Sequence, residues 1–172
     1  MSMIAPKGVS ISTRQHGWLI ASSLLIALAC NLLPWQVNLL WLRPDFLLLV
    51  TLYWAIYQPN DIGIGSAWWL GLAEDMADGA HLGQHALAYA VAVYAITLFQ
   101  RRLYNFPPWQ QVLPIMVTLL IEQLMTVLIA TFVGDSRQAL LYFFAVLTGS
   151  LCWIPIWYLL RIQHGPILPR QQ

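Results

Sequence analysis

Charged side chains are scarce in this chain of 172 residues. They make up 9% of the sequence, whereas 59% of the residues are hydrophobic. A soluble domain is ordinarily about one quarter charged, because water must solvate most of its surface. The scarcity of charge therefore excludes an ordinary soluble domain. It predicts an all-α integral membrane protein.

Cysteines, basic runs and catalytic motifs are also scarce. The two cysteines, Cys30 and Cys152, lie far apart in apolar runs without CxxC spacing, so we expect no disulfide. The eight Lys and Arg residues form no basic run with interleaved aromatic side chains, so no nucleic-acid binding is expected. The sequence contains no recognisable Ser-His-Asp arrangement or phosphate-binding glycine loop. We therefore expect no enzymatic activity and no cofactor.

The apolar residues form runs that short polar turns separate. Each membrane span needs about 20 residues, so a chain of this length has room for about six spans and no soluble module. The predicted organisation is an N-terminal tail (1–17), a six-helix transmembrane domain (18–160) and a C-terminal tail (161–172). The first run, 18–33, also resembles a signal peptide, because basic residues precede it and small residues lie near its end. An uncleaved first span is the simpler interpretation.

The basic residues predict the orientation in the membrane. With a cytoplasmic N-terminus and six spans, two of them, Arg43 and Arg137, face outward. The other six face the cytoplasm: Lys7, Arg14, Arg101, Arg102, Arg161 and Arg170. Cytoplasmic loops of membrane proteins carry an excess of Lys and Arg. The bias predicts a multi-pass membrane protein with both termini in the cytoplasm.

The densest group of titratable side chains occupies twelve consecutive positions, 74–85. It consists of Glu74, Asp75, Asp78, His81 and His85. In so apolar a chain these groups must face water, a partner or one another. Glu74 and Asp78 are four residues apart, as are His81 and His85, a spacing that can place two metal ligands on one helical face. However, Gly79 and Gly83 are expected to interrupt the helix between the two pairs. We therefore expect Asp75 and Asp78 to have a structural or partner-binding role and not to bind a metal ion.

Three small residues, Gly63, Ala67 and Gly71, recur every four positions in the third predicted span. Asp75 continues the same helical face. This spacing lets the backbone of another helix approach closely. We therefore expect the face to pack inside the bundle.

Arg43, Pro44 and Asp45 precede the second predicted span, whose apolar part is 46–57. Pro44 is predicted to begin the helix and Asp45 to favour its N-terminus, because proline is tolerated in the first turn and an acid complements the helix dipole. Arg43 then lies at the outer interface, where it can pair with Asp75 or with a carboxylate of a partner. An ordinary turn beside a snorkelling arginine is the open alternative.

Glu122 is the only ionisable residue in the middle of a long apolar run, the fifth predicted span at 112–133. A carboxylate is costly in hydrocarbon, which points to a role. One interpretation is a buried acid that is protonated or hydrogen-bonded to Thr118, Gln123 or Thr126. The other, which we favour, is that Glu122 lines a polar cavity or binds a partner helix.

Several short segments together resemble one known family. They are Leu32-Leu33-Pro34-Trp35, Arg43-Pro44-Asp45, Leu52-Tyr53-Trp54, Gly71-Leu72-Ala73-Glu74-Asp75 with Leu82-Gly83, Leu98-Phe99-Gln100 and Trp109-Gln110-Gln111. In order and spacing they are similar to the rod shape-determining protein MreD family of Gram-negative bacteria, over residues 17–163. The resemblance implies a non-enzymatic, six-helix inner-membrane protein of the machinery that elongates the lateral cell wall. It implies MreC as the partner, together with MreB, RodA and a penicillin-binding transpeptidase, besides membrane lipid.

The resemblance also implies a fold like that of the substrate-binding subunits of energy-coupling-factor vitamin transporters. This likeness supplies an alternative function, a membrane subunit that binds a small molecule or a lipid. The candidate partner-binding or structural residues are Arg43, Pro44, Asp45, Gly71, Asp75, Asp78, Gly83 and Glu122.

Reporter fusions test the predicted topology. A phosphatase that is active only outside the cytoplasm is expected to be active when fused after Ser136, because this turn faces outward. The same enzyme fused after Asn105 is expected to be inactive, because that loop faces the cytoplasm. The reverse pattern of activity would show that the orientation is wrong.

Overall fold

The computed structural model describes residues 13–33, 42–79, 81–133 and 143–164. Within these ranges the chain forms six helices. They are α1 (Thr13–Asn31), α2 (Phe46–Tyr57), α3 (Ile64–Asp78), α4 (Gln84–Leu103), α5 (Pro108–Val133) and α6 (Phe143–His164). The expectation of an all-helical protein is confirmed over the described ranges. Helix α1 begins inside the segment that was predicted as the N-terminal tail, and helix α6 extends into the predicted C-terminal tail.

Local chemistry sets several helix limits. Asp45 is the N-cap of α2, and its carboxylate accepts a hydrogen bond from the backbone N–H of Leu48 at 2.9 Å. The prediction that Pro44 begins this helix is therefore wrong, because the capping residue itself follows the proline and the helix starts at Phe46. Helix α3 ends at Asp78, and Gly79 is its C-cap, with a φ of 66° in the left-handed region that favours glycine. The expected interruption of the helix at Gly79 is therefore confirmed.

Helix α2 is the centre of the bundle. Every residue from Leu47 to Tyr57 is buried, and the helix contacts α1, α4 and α6. Around it, α3 packs on α4, α4 on α5, and α5 on α6. At 12 residues α2 is about 18 Å long, shorter than the hydrocarbon layer of a bilayer. The shortest helix of the described chain is thus enclosed by longer ones.

Two helical stretches among the described residues are long and apolar enough to cross a membrane. They are Pro108–Ile129 in α5 and Phe143–Ile162 in α6. The stretches Gly17–Asn31 and Phe46–Tyr57 are apolar but shorter. The architecture is consistent with a helical membrane protein, and the two candidate spans are next to each other in sequence.

The small-residue face of α3 packs against α4. A Cβ atom added to Gly71 would lie 2.5 Å from the Cα of Ala86 and 2.5 Å from the carbonyl oxygen of His85. Ala67 is fully buried. Close packing is therefore confirmed at Gly71 and Ala67, but a Cβ at Gly63 would meet nothing within 4 Å. The close backbone approach lies at Gly71, in the middle of the helix.

Gly71→Ala is expected to lower the free energy of unfolding by about 1–3 kcal/mol, because the added methyl group must push the backbone of α4 away. Thermal unfolding of the purified protein in detergent measures the effect. Gly65→Ala is the matched control on the same helix, since a Cβ there meets nothing within 4 Å. Equal melting temperatures for the two variants would contradict the close approach.

Candidate functional site

Polar side chains converge at the end of the bundle where α1 and α3 finish and α2 and α4 begin. We call this group the acidic cluster: Asn31, Arg43, Asp45, Glu74, Asp78 and Tyr89. Helix ends leave backbone N–H and C=O groups without helical partners. Where such a helix end is buried, polar side chains must supply the hydrogen-bond partners of its backbone N–H and C=O groups.

Asn31, the last residue of α1, joins three segments of the chain. Its Nδ2 donates hydrogen bonds to Oδ1 of Asp45 at 3.0 Å and to Oε1 of Glu74 at 2.8 Å. Its Oδ1 accepts from the backbone N–H of Phe46 at 3.0 Å. The side chain is 2% exposed. Our sequence reasoning missed Asn31, although an asparagine at the end of an apolar run is a signal that could have identified it.

Asp45 links the start of α2 to α4. One carboxylate oxygen caps α2, as described above, and the other accepts a hydrogen bond from the hydroxyl of Tyr89. Tyr89 is completely buried. Asp45 therefore carries out the N-terminal role that the sequence predicts, and it also contacts a helix more than 40 residues away, which the sequence did not indicate.

Arg43 pairs with two carboxylates of α3. Its Nη2 lies 3.9 Å from Oε1 of Glu74 and 3.5 Å from Oδ1 of Asp78. The predicted pair between Arg43 and Asp75 does not form, because successive helical residues are rotated by about 100° and Asp75 faces α4 instead. The second oxygen of Glu74, Oε2, is buried and has no hydrogen-bond partner among the described residues.

Asp75 accepts hydrogen bonds from the backbone N–H groups at the start of α4. Its Oδ2 accepts from the backbone N–H groups of Gly83 at 2.8 Å and of Ala86 at 3.4 Å, and its Oδ1 accepts from that of His85 at 2.8 Å. The His85 ring nitrogen Nδ1 lies 2.9 Å from the same oxygen. Gly83, with a φ of 98°, makes the turn that brings these donors together. Asp75 thus supplies from α3 the acceptor that an N-cap side chain usually provides.

Glu122 on α5 faces the same interior. It is 7% exposed, and it accepts a hydrogen bond from the hydroxyl of Thr126 at 3.1 Å. It also interacts electrostatically with Asp45 and Glu74. Of the interactions predicted for Glu122, the hydrogen bond to Thr126 is confirmed. Three acidic groups therefore lie close enough to influence one another, with Arg43 as the neighbouring guanidinium.

The histidines contribute unequally. His85 is engaged with Asp75, whereas His81 is exposed. Within the ranges that the structure describes, no group of three His, Cys, Asp or Glu side chains is placed to hold a metal ion. The arrangement can bind cationic groups and hold helix ends together.

The sequence of this chain matches a known protein family. The family model of the rod shape-determining protein MreD matches residues 12–163, which include the whole acidic cluster. The chain is 34% identical over 145 residues to the rod shape-determining protein MreD of Haemophilus influenzae. That alignment covers 83% of this chain and 88% of the relative. No solved structure matches the chain.

Asp75→Ala is expected to lower the free energy of unfolding by about 3 kcal/mol, because buried N–H donors at the start of α4 lose a charged acceptor. Asp75→Asn keeps an oxygen acceptor and is expected to lose less. Thermal unfolding in detergent, with hydrogen exchange at the first turn of α4, measures both effects. The control is Asp61→Ala, which removes an exposed carboxylate. Unchanged exchange at Ala86 in Asp75→Ala would contradict the capping role.

Proposed function

The chain belongs to the MreD family of rod shape-determining proteins, and we propose that it is a non-enzymatic adaptor of the machinery that elongates the lateral cell wall. In this role it binds MreC in the membrane. It helps to link the MreB cytoskeleton to RodA and a penicillin-binding transpeptidase. Family membership makes the chain a bacterial membrane protein that determines cell shape. The binding partners named here are our proposal.

All six helices span the inner membrane in this proposal, with both termini in the cytoplasm and short tails on either side of the helical domain. The supporting contacts alternate between the two ends of the bundle. Asn31 at the end of α1 donates to Asp45 at the start of α2. At the opposite end, Gln111 near the start of α5 donates to the hydroxyl of Tyr57 at the end of α2, at 2.9 Å. Such alternation is what successive antiparallel spans produce.

The charges are distributed unequally between the two ends. Four carboxylates lie at the end that contains the acidic cluster: Asp45, Glu74, Asp75 and Asp78. Arg101 and Arg102 occupy the last turn of α4, at the opposite end, and Arg161 lies near the end of α6. Because basic residues favour the cytoplasmic side, the acidic cluster faces outward in the proposed topology.

The exposed edge of the acidic cluster is the surface that we propose for MreC. The side chains of Arg43 and Asp78 are 18% and 36% exposed, so a partner can reach this ion pair. His81 and Leu82 are exposed beside it in the turn between α3 and α4. Asp75, by contrast, is enclosed and occupied by α4. The partly exposed pair of Arg43 and Asp78 is the single observation that carries the proposal.

A second candidate function is a transporter subunit that binds a small molecule or a lipid, with a fold like that of energy-coupling-factor substrate-binding subunits. The observation that favours it is the group of acids inside the bundle. Glu122 is buried and interacts electrostatically with Asp45 and Glu74, and one oxygen of Glu74 is without a hydrogen-bond partner in the described chain. A ligand with a cationic group suits such an environment.

Asp78→Lys is expected to leave the protein inserted in the membrane, because an exposed salt bridge contributes at most about 1 kcal/mol. In a rod-shaped host depleted of its own copy, the variant is expected to co-purify less MreC and to give rounder cells. The amount of MreC and the ratio of cell length to width are the measurements. The matched control is Asp61→Lys, an equal charge change at an exposed position in the turn between α2 and α3.

Retention of MreC and of rod shape by Asp78→Lys would contradict the proposed surface. If the purified wild-type protein also carried a bound vitamin or lipid that Glu122→Ala loses, the transporter-subunit interpretation would replace the adaptor. Depletion in the host separates the two functions, since loss of a wall-elongation adaptor gives round cells and loss of a vitamin carrier gives an auxotroph.

A further inference from the structure

A groove lies at the end of the bundle opposite the acidic cluster. It has a volume of about 670 Å³ and is formed by the start of α5 and the last turns of α6. Trp109, Tyr158, Arg161 and Ile162 form much of its wall. Three of these side chains are large and apolar or aromatic, and the fourth is a cation. The groove therefore combines an apolar surface with one positive charge.

The guanidinium of Arg161 lies over the ring of Trp157. Its central carbon lies 4.5 Å from the centre of the Trp157 ring, and the Trp157 indole N–H donates to the hydroxyl of Tyr57 at 2.7 Å. A cation–π contact uses the charge of a guanidinium and none of its N–H donors, so the donors remain available to another partner. Within the described parts of the chain, no carboxylate lies at salt-bridge distance from Arg161. Its donors can therefore bind an anion from outside the chain.

The aromatic residues of the groove are those of a membrane interface. Trp109 is 66% exposed and Tyr158 is 51% exposed. Tryptophan and tyrosine concentrate at the level of the lipid headgroups, and Ile162 beside them is 80% exposed.

We propose that this groove binds an anionic phospholipid. The lipid phosphate accepts hydrogen bonds from the edge of the Arg161 guanidinium, and an acyl chain lies along Tyr158 and Ile162. A small soluble anion would leave the apolar wall unused, and a lipid without net charge would leave the positive charge of Arg161 unbalanced. This lipid site is separate from the surface proposed for MreC, because the two lie at opposite ends of the bundle.

Native mass spectrometry of the full-length protein tests the proposal. The delipidated protein is titrated with dioleoylphosphatidylglycerol or dioleoylphosphatidylcholine, which differ in headgroup charge and share their acyl chains. Wild-type protein is expected to retain phosphatidylglycerol preferentially. Arg161→Gln is expected to weaken phosphatidylglycerol binding by about tenfold, the loss of one charge-assisted hydrogen bond. Arg102→Gln, the same charge change outside the groove, is expected to bind as the wild type does.

A second variant separates the lipid from a free phosphate. Ile162→Gln keeps the charge and is expected to weaken phosphatidylglycerol binding, because an acyl chain loses an apolar contact. Inorganic phosphate is expected not to displace the lipid. Equal binding of the two lipids, equal losses in Arg161→Gln and Arg102→Gln, or displacement by phosphate would each overturn the proposal. Thermal unfolding checks the fold, and if Arg161→Gln does not fold, Arg161→Lys must retain the lipid preference.

Discussion

The side-chain amide of Asn31 is the interaction on which the acidic end of the bundle depends. It donates to Asp45 and Glu74 and accepts from the backbone of Phe46. Only an amide side chain offers two donors and an acceptor at one planar end. An apolar residue of the same size would leave two carboxylates and a helix-start N–H without this partner in a buried place. This one group joins the end of α1 to the start of α2 and to Glu74 near the end of α3.

Polar contacts of this kind are a larger share of what joins helices in lipid than in water, because burial of apolar surface contributes little there. Apolar side chains gain little by exchanging lipid neighbours for protein neighbours, so close backbone approach and hydrogen bonds decide which helices are adjacent. Gly71 and Asp75 supply both between α3 and α4. At the other end, the hydroxyl of Tyr57 receives the N–H groups of Gln111 and Trp157. Hydrogen bonds to carboxylates join the helices at the end with the acidic cluster, and hydrogen bonds between neutral groups join them at the opposite end.

Residue type predicted where helices begin and end better than it predicted which side chains contact one another in the acidic cluster. The roles of Asp45 at a helix start and Gly79 at a helix end follow from residue type and position alone, and the structure agrees. Of the two partners considered for Arg43, Asp75 was wrong, because adjacent acids on a helix point in different directions and the sequence does not give the rotation of α3. Asn31 was missed because its importance depends on which helix ends meet. The family, in contrast, was predicted correctly from the order of short segments, since that order does not depend on the fold being known.

The enclosure of α2 has a consequence for the fit between protein and bilayer. A span that meets lipid must match the hydrophobic thickness, or the bilayer thins around it at an energetic cost. Helix α2, about 18 Å long, is buried along its length, so its shortness is not transmitted to the lipid. The 26 residues of α5 and the 22 residues of α6 correspond to about 39 Å and about 33 Å. These two helices contain the stretches that are long and apolar enough to cross a membrane, so theirs are the lengths that the bilayer must match.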